Sequence, residues 1–366
     1  MGKKHGHHHG KKKLGDGAAT NKQTKRPDGA SRHALRDASV ATVDEEELYI
    51  KAQIAIMSDN FEQAESYFDA LLELQPNNVE YLDSYGSFLA EFVPEKRQKA
   101  IVSLKKACDL APTTGFEKFM YLGQVLDACG RTKEAEAAMR QGVGILRGYS
   151  TDDQAEFLTS ALCSLAELLM GLIHDDEDDM DEEEEDGWST RQTELMAEVE
   201  SLLHEALSFC SGQSPEPLQA MSSLRVLQER EEEALSILLE SLQLWWNTGK
   251  DTNEEDDDEQ GRIPSYEFRF ETAKLLLELD STTETAAEIL EELLEENDSV
   301  PDVWLLLAVA YRAGGELESA AEAAAQGAKI ARQHGFSEQD HEVVYALEEL
   351  EQELNKHKTS PTTDGV

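Results

Sequence analysis

Positive charge is what this 366-residue chain has least of: 33 Lys and Arg stand against 76 Asp and Glu, a formal net charge of −43. A surface of that sign repels nucleic acid and anionic membranes and draws cationic partners toward it. No direct nucleic-acid partner is therefore expected. Cysteine is scarce too. Cys108, Cys129, Cys163 and Cys210 lie too far apart for a CxxC metal or redox site. Each falls in apolar helical context and reads as a small, reduced, buried side chain. No signal-peptide core and no apolar run of about 18 residues stands out, so a soluble intracellular protein without a membrane partner is expected. Catalytic signatures are missing as well: there is no GxGxxG, GxxxxGK[ST], HExxH or GxSxG. The abundant carboxylates lie in charged runs facing water, whereas a general acid needs an enclosure that raises its pKa. The chain reads as no enzyme and calls for no cofactor.

Two segments carry metal-ligating residue types without the order a site needs. "HGHHHG" (His5 to Gly10) sits in a Gly- and Lys-rich stretch with nothing to fix geometry. The tract "HDDEDDMDEEEEDGW" (His174 to Trp188) holds eleven acidic residues in the twelve positions 175–186. Its oxygens at Asp175, Glu177, Asp179, Asp181 and Asp186 mimic an EF-hand spacing. Met180, however, stands where the loop's sharp turn requires Gly, and the twelfth ligand is Asp, not Glu. No structured metal site is expected.

What is present is a repeat. In "PDVWLLLAVAYRAGGELESAAEAAAQG" (301–327), Trp304, Leu307, Ala308 and Tyr311 recur at i, i+3, i+4 and i+7, one face of a helix. Gly314 and Gly315 break it, and a second helix carries Ala320, Ala324 and Gly327. Large–large–small–large followed by small residues is the tetratricopeptide (TPR) pattern. It recurs at 48–76, at 82–112 (lengthened around Pro94), at 116–142 and at 267–298, and more loosely at 218–242. The region 153–210 fits least: two amphipathic helices flank the acidic tract. No single pair buries its apolar stripe, whereas stacked pairs share a continuous core. The expected fold is an all-α TPR solenoid of about seven helical pairs over residues 44–356, closed by a capping helix near 338–355.

Residues 1–40 hold ten Lys and Arg against three Asp, a net of +7, which leaves about −50 on the remainder. The segment 1–43 is expected to be a disordered basic tail, since it is too polar to fold alone, and 357–366 a disordered C-terminus. Its Lys clusters (Lys3, Lys4, Lys11, Lys12, Lys13) suit a nuclear localisation signal, a weak RNA-contacting arm, or a placeholder in an acidic groove. Acidic loop insertions are expected at 174–188 and, through "KDTNEEDDDEQG", at 250–261. The first helix of each TPR pair lines the concave side. On the N-terminal half the register puts Glu46, Tyr49, Glu80, Asp83, Glu91, Glu117 and Asp127 there, and on the C-terminal half Glu271, Glu278 and Asp302. Such a groove suits a Lys- and Arg-rich peptide held by many modest carboxylate contacts, with Tyr49, Met57 and Leu305 as candidate apolar anchors.

The stretch "RIPSYEFRFETAKLLLELDSTTETAAEILEELLEENDSVPDVWLLLAVAYRAGGELESAAEAA" (262–324) resembles the dedicated assembly chaperones of a large-subunit ribosomal protein, L-four. "ELYIKAQIAIMSDNFEQAESYFDALLELQPNNVEYLDSYG" (47–86) and the Lys-rich start share the likeness. A capped solenoid of this kind is expected to be a monomer. The resemblance implies a non-catalytic escort in cytoplasm and nucleus. It would shield the basic internal loop of newly made L-four in the groove and release it on the pre-60S particle, with nuclear import machinery engaged through the client or the tail. Charge alone equally permits another basic client such as histones. A scaffold for carboxylate-terminated peptides would need a Lys- and Arg-lined groove, which these helices lack.

Overall fold

In the computed structural model the described residues are 44–149, 154–178, 188–210, 214–246, 263–279, 282–334 and 340–359. They form helices only, in seven antiparallel pairs and a final single helix. The N-terminal pairs are α1 (Glu45–Met57) with α2 (Phe61–Leu74), α3 (Val79–Phe92) with α4 (Arg97–Leu110), and α5 (Glu117–Asp127) with α6 (Thr132–Arg147). Next come α7 (Ala155–Asp178) with α8 (Thr190–Cys210) and α9 (Pro215–Leu227) with α10 (Glu231–Trp245). The last pairs are α11 (Tyr266–Glu278) with α12 (Thr283–Glu296) and α13 (Pro301–Ala313) with α14 (Leu317–His334), and α15 (Asp340–Thr359) closes the stack. The all-α TPR solenoid expected from the periodicity is the fold observed.

Local chemistry sets the helix ends. Asp44, Asn78 and Ser265 cap α1, α3 and α11 by accepting the backbone N–H of Glu46, Tyr81 and Phe268. Pro215 and Pro301 open α9 and α13, where the missing N–H costs nothing. The turn from first to second helix passes through one left-handed residue in four pairs: Asp59, Gly130, Glu229 and Gly315, with φ of 54°, 68°, 57° and 82°.

Small residues on the second helices let neighbours close in. Ala64, Ala100, Ala135, Ala286 and Ala320 are fully buried. At Gly327 an added Cβ would stand 2.6 Å from Trp304 Cβ. Backbones of first helices approach one another between α3 and α5, α7 and α9, α9 and α11, and α11 and α13, while second helices of successive pairs meet through side chains such as Arg140 and Glu198. The first helices thus form the inner wall of the stack.

Several local expectations need correction. The first insertion was expected from residue 174, but α7 continues through Asp178, because extending an established helix costs far less than starting one. The final helix runs through Thr359, past the expected end at 355–356. Ala155–Ile173 does reach the length and mean hydropathy (1.6) of a membrane span. Its residues Leu162, Cys163, Ala166, Leu169 and Ile173 are nevertheless fully buried in the core. Cys108 and Cys163 are buried as expected, but Cys129 is exposed and Cys210 half-buried; Cys129 follows the last core position of α5, Leu126. The tail 1–43, the insertion 250–261, positions 179–187 of the first insertion and residues 360–366 lie outside the described residues.

Candidate partner-binding groove

The inner wall begins at α1 and α3. Tyr49 and Ser84 share a hydroxyl–hydroxyl hydrogen bond of 2.8 Å, and the Tyr49 ring lies 5.3 Å from that of Tyr81. Burial and the carboxylates of Glu45, Glu80 and Glu46 raise the Tyr81 phenol above its ordinary value. Glu46, Tyr49 and Glu80, predicted separately from the register, therefore surround one point. A second group forms between α3 and α5, where the Tyr121 hydroxyl donates to Glu91 at 3.3 Å. Burial first, then the fields of Glu91, Asp83 and Glu117, raise that phenol too. Asp83 is half-buried and pushed upward by desolvation and by Glu117, against the pull of Lys118 and the Ser87 hydroxyl. Lys118 is buried and directs its ammonium at the Thr114 and Gly115 carbonyls, so it pins the preceding loop instead of filling the groove.

Further along, Asp127 lines a cleft of about 560 Å³ with Gln124, Ser164 and Glu167, joining α5 to α7. The next cleft, of about 710 Å³, is walled by Glu167 of α7, Glu216 and Gln219 of α9, and Glu267, Phe268 and Glu271 of α11. Its rim is Ile263 and Pro264, where the chain returns from the second acidic insertion. Glu278 lies in a third cleft with Glu271, Lys274 and Trp188, where the chain returns from the first insertion. Both acidic tracts thus rejoin the fold beside Glu271. Asp302 is exposed on the first turn of α13, and the structure does not bring it to the other candidates.

Glu167 and Glu216 were missed by the sequence reading. The Glu167 residue is exposed to solvent in the cleft it shares with Glu216 and Glu271. The surrounding protein strips part of its hydration, and Glu216 and Glu271 add like charge, so it is pushed up to about 7. Burial also raises Glu216, partly offset by a hydrogen bond from Ser160 at 3.1 Å.

Cations are paired on both sides of the stack. Lys99 pairs with Glu65 and Asp69, Lys105 with Glu134, Arg140 with Glu136 and Glu198, and Arg147 with Glu205 among second helices; on first helices Arg225 pairs with Glu200 and Arg269 with Glu296. Among the described residues no Lys or Arg stands within ion-pair distance of Glu80, Glu117, Glu167 or Glu216; Glu271 has Lys274 at 3.2 Å. Of the apolar anchor candidates, Met57 is 85% exposed, while Tyr49 and Leu305 are half-buried. Among the described residues no group of three or more His, Cys, Asp or Glu is arranged to hold a metal ion.

Comparison with known proteins bears on this geometry at two levels. The tetratricopeptide repeat family matches at residues 48–78 and 280–336. A protein of Emericella nidulans named "Probable assembly chaperone of rpl4" is 32% identical over 192 residues, 52% of this chain and 42% of its own. A Schizosaccharomyces pombe protein of the same name is 27% identical over 210 residues, 56% of this chain and 54% of its own. The chain therefore spans about half the length of the curated relatives it matches. A solved structure, "Assembly Chaperone of RpL4 (Acl4) (Residues 1-338)", superposes with a TM-score of 0.54 at 22% identity, covering 76% of this chain and all of that one. The resemblance drawn from residues 47–86 and 262–324 is borne out by these relatives, and the structural match carries the fold.

Proposed function

We propose that this chain is a non-catalytic escort whose concave wall receives a Lys- and Arg-rich segment of a newly made basic protein, and that the client is ribosomal protein L-four. The observation that carries the binding mode is the line of inner-wall carboxylates, from Glu80 through Glu117 and Glu167 to Glu216, with no cation in ion-pair reach among the described residues. Folding needs no such arrangement, since like charges crowded on one face repel. A cationic segment laid along the wall relieves that repulsion through many contacts of modest individual strength. The choice of client rests on the relatives named for rpl4. An escort of this kind works in cytoplasm and nucleus as a monomer and hands its client to the assembling large subunit, where ribosomal RNA offers denser negative charge.

Two measurements test this. Affinity purification from cells, with mass spectrometry of the bound proteins, should recover ribosomal protein L-four; histones in its place reject the client. A basic L-four peptide should bind the purified chain with affinity that falls steeply as salt rises. The double variant E80K/E117K changes two exposed side chains in the first turns of α3 and α5, so it should weaken binding about tenfold or more at low salt while the chain stays folded, with only a small loss of melting temperature from Lys at two helix N-termini. Undiminished binding by that variant rejects the wall as the site.

A further inference from the structure

The two ends of the stack differ. A repeat array needs a polar outer face at each end to stay soluble. At the C-terminal end α15 has one: Glu342, Glu349 and Glu353 are exposed around Tyr345, while Leu347, Leu350 and Leu354 are buried. At the other end α1, the first helix among the described residues, exposes Ile50, Ile54 and Met57, at 48%, 56% and 85%. Their i, i+4, i+7 spacing sets them in one stripe about 10 Å long, opposite the buried Ala52 and Ala55. Apolar residues thus stand on two faces of α1, as they do on α3 and α5, which have neighbours on both sides. The first helix has one neighbour too few.

We propose that this stripe is a docking surface for an amphipathic helix of a basic partner, laid along α1 as the neighbour the stack lacks. The surface stands apart from the carboxylate line of the groove, and the proposal does not rest on that reading. Charge selects the occupant. Glu46 and Gln53 flank the stripe on one side, Glu47 and Lys51 on the other, and Lys51 is taken up by Glu47 at 2.6 Å. Asp44 and Glu45 extend the acid at the N-terminal end of the helix. A helix with Leu or Ile at i, i+4 and i+7 and Lys or Arg beside them meets both the apolar stripe and its acidic shoulders. A second copy of the chain fits less well. It would bring two molecules of net charge −43 together and set Glu46 and Glu47 against acid of the same kind. Three apolar side chains carry the contact, and covering even one of them is worth a factor of about ten in affinity.

The probe is a fluorescein-labelled helical peptide of about five turns, with Leu along one face and Lys elsewhere. A scrambled peptide of the same composition has the charge without the stripe. At about 0.5 M salt, where charge contacts fade, the full chain should bind the helical peptide about tenfold or more tightly than the scrambled one. The variant I50Q/I54Q/M57Q replaces exposed side chains by a good helix former, so its circular dichroism should match the parent while the preference disappears. The conservative variant I54L/M57L should keep it. Equal binding of the two peptides by the parent, or a preference that survives in the Gln variant, overturns the proposal. A concentration-dependent dimer of the parent that the Gln variant abolishes also overturns it, since the stripe then belongs to a second copy. Each of these failures leaves the groove reading standing, which binding of the scrambled peptide at about 0.05 M salt tests separately.

Discussion

At the scale of single residues, Glu167 shows what the groove does to a carboxylate. Loss of hydration and the neighbouring Glu216 and Glu271 push it up to about 7. Folded chains therefore bind more protons here than unfolded ones between the ordinary glutamate range and pH 7. The stability this group contributes is full below its unfolded pKa and is lost as pH rises through about 7. Glu167→Gln should thus gain thermal stability over the parent as pH climbs from 4.5 to 8, and the gap should then level off; a pH-independent gap in melting temperature counts against crowding. A bound cation reverses the shift, so peptide binding near pH 6.5 should release protons, read as a dependence of calorimetric enthalpy on buffer, and E167Q should diminish it. Glu167 was not legible because "SLAELLMGL" reads as a core helix in the least regular repeat. Glu80 and Glu117 were legible because their repeats keep the register cleanly.

At the scale of elements, four of the turns between paired helices pass through one left-handed residue, and the chain supplies Gly at two of those four places. Asp59 and Glu229 hold the same conformation with a Cβ, a strain of about 1 kcal/mol. Glu229→Gly should therefore raise the urea midpoint, with a gain of about 1 kcal/mol. Glycines inside helices divide the same way. Gly327 faces the Cβ of Trp304, which cannot swing aside, so Gly327→Ala should destabilise by about 1–3 kcal/mol. Gly144, on an exposed position of α6, has nothing within 4 Å of an added Cβ, so Gly144→Ala should stabilise by about 0.5–1 kcal/mol. Denaturant titration of both variants checks the contrast. Gly327 was readable as a packing position from the small-residue pattern; the strain at Glu229 was not, since nothing in "QEREEE" distinguishes a turn residue from a helix start.

At the scale of the whole molecule, the buried apolar residues divide into two cores, one spanning α1 to α9 and one spanning α10 to α15. They meet at the α9–α10 pair, where Val226 packs against the second core and Ile237 against the first, and polar groups add to the joint. Gln219 donates to the Phe268 carbonyl at 3.3 Å and accepts from the Thr272 hydroxyl, and the Trp245 ring packs edge-on to Phe268. In a repeat array each pair is held by its neighbours alone, so the two halves are expected to unfold in separate steps. All four tryptophans (Trp188, Trp245, Trp246 and Trp304) lie beyond residue 187, so fluorescence reports the C-terminal part while circular dichroism reports every helix. Urea transitions by the two probes should separate, and Gln219→Ala should widen the separation; coincident curves for both chains would show one cooperative unit.

The sequence by itself determined the helices, their pairing and the excess of negative charge. Those follow from the spacing of apolar and small residues and from composition, which are local along the chain. The register also assigned Glu46, Tyr49 and Glu80 to first helices, where α1 and α3 carry them. Only the tertiary structure decided which carboxylates crowd one another, that Lys118 is held by the preceding loop, that the acidic tracts rejoin the fold beside Glu271, and that α7, apolar enough to span a membrane, is a core helix. Each of these depends on distances between residues far apart in the chain, and such distances are set by how successive pairs stack, not by the pattern within any one of them.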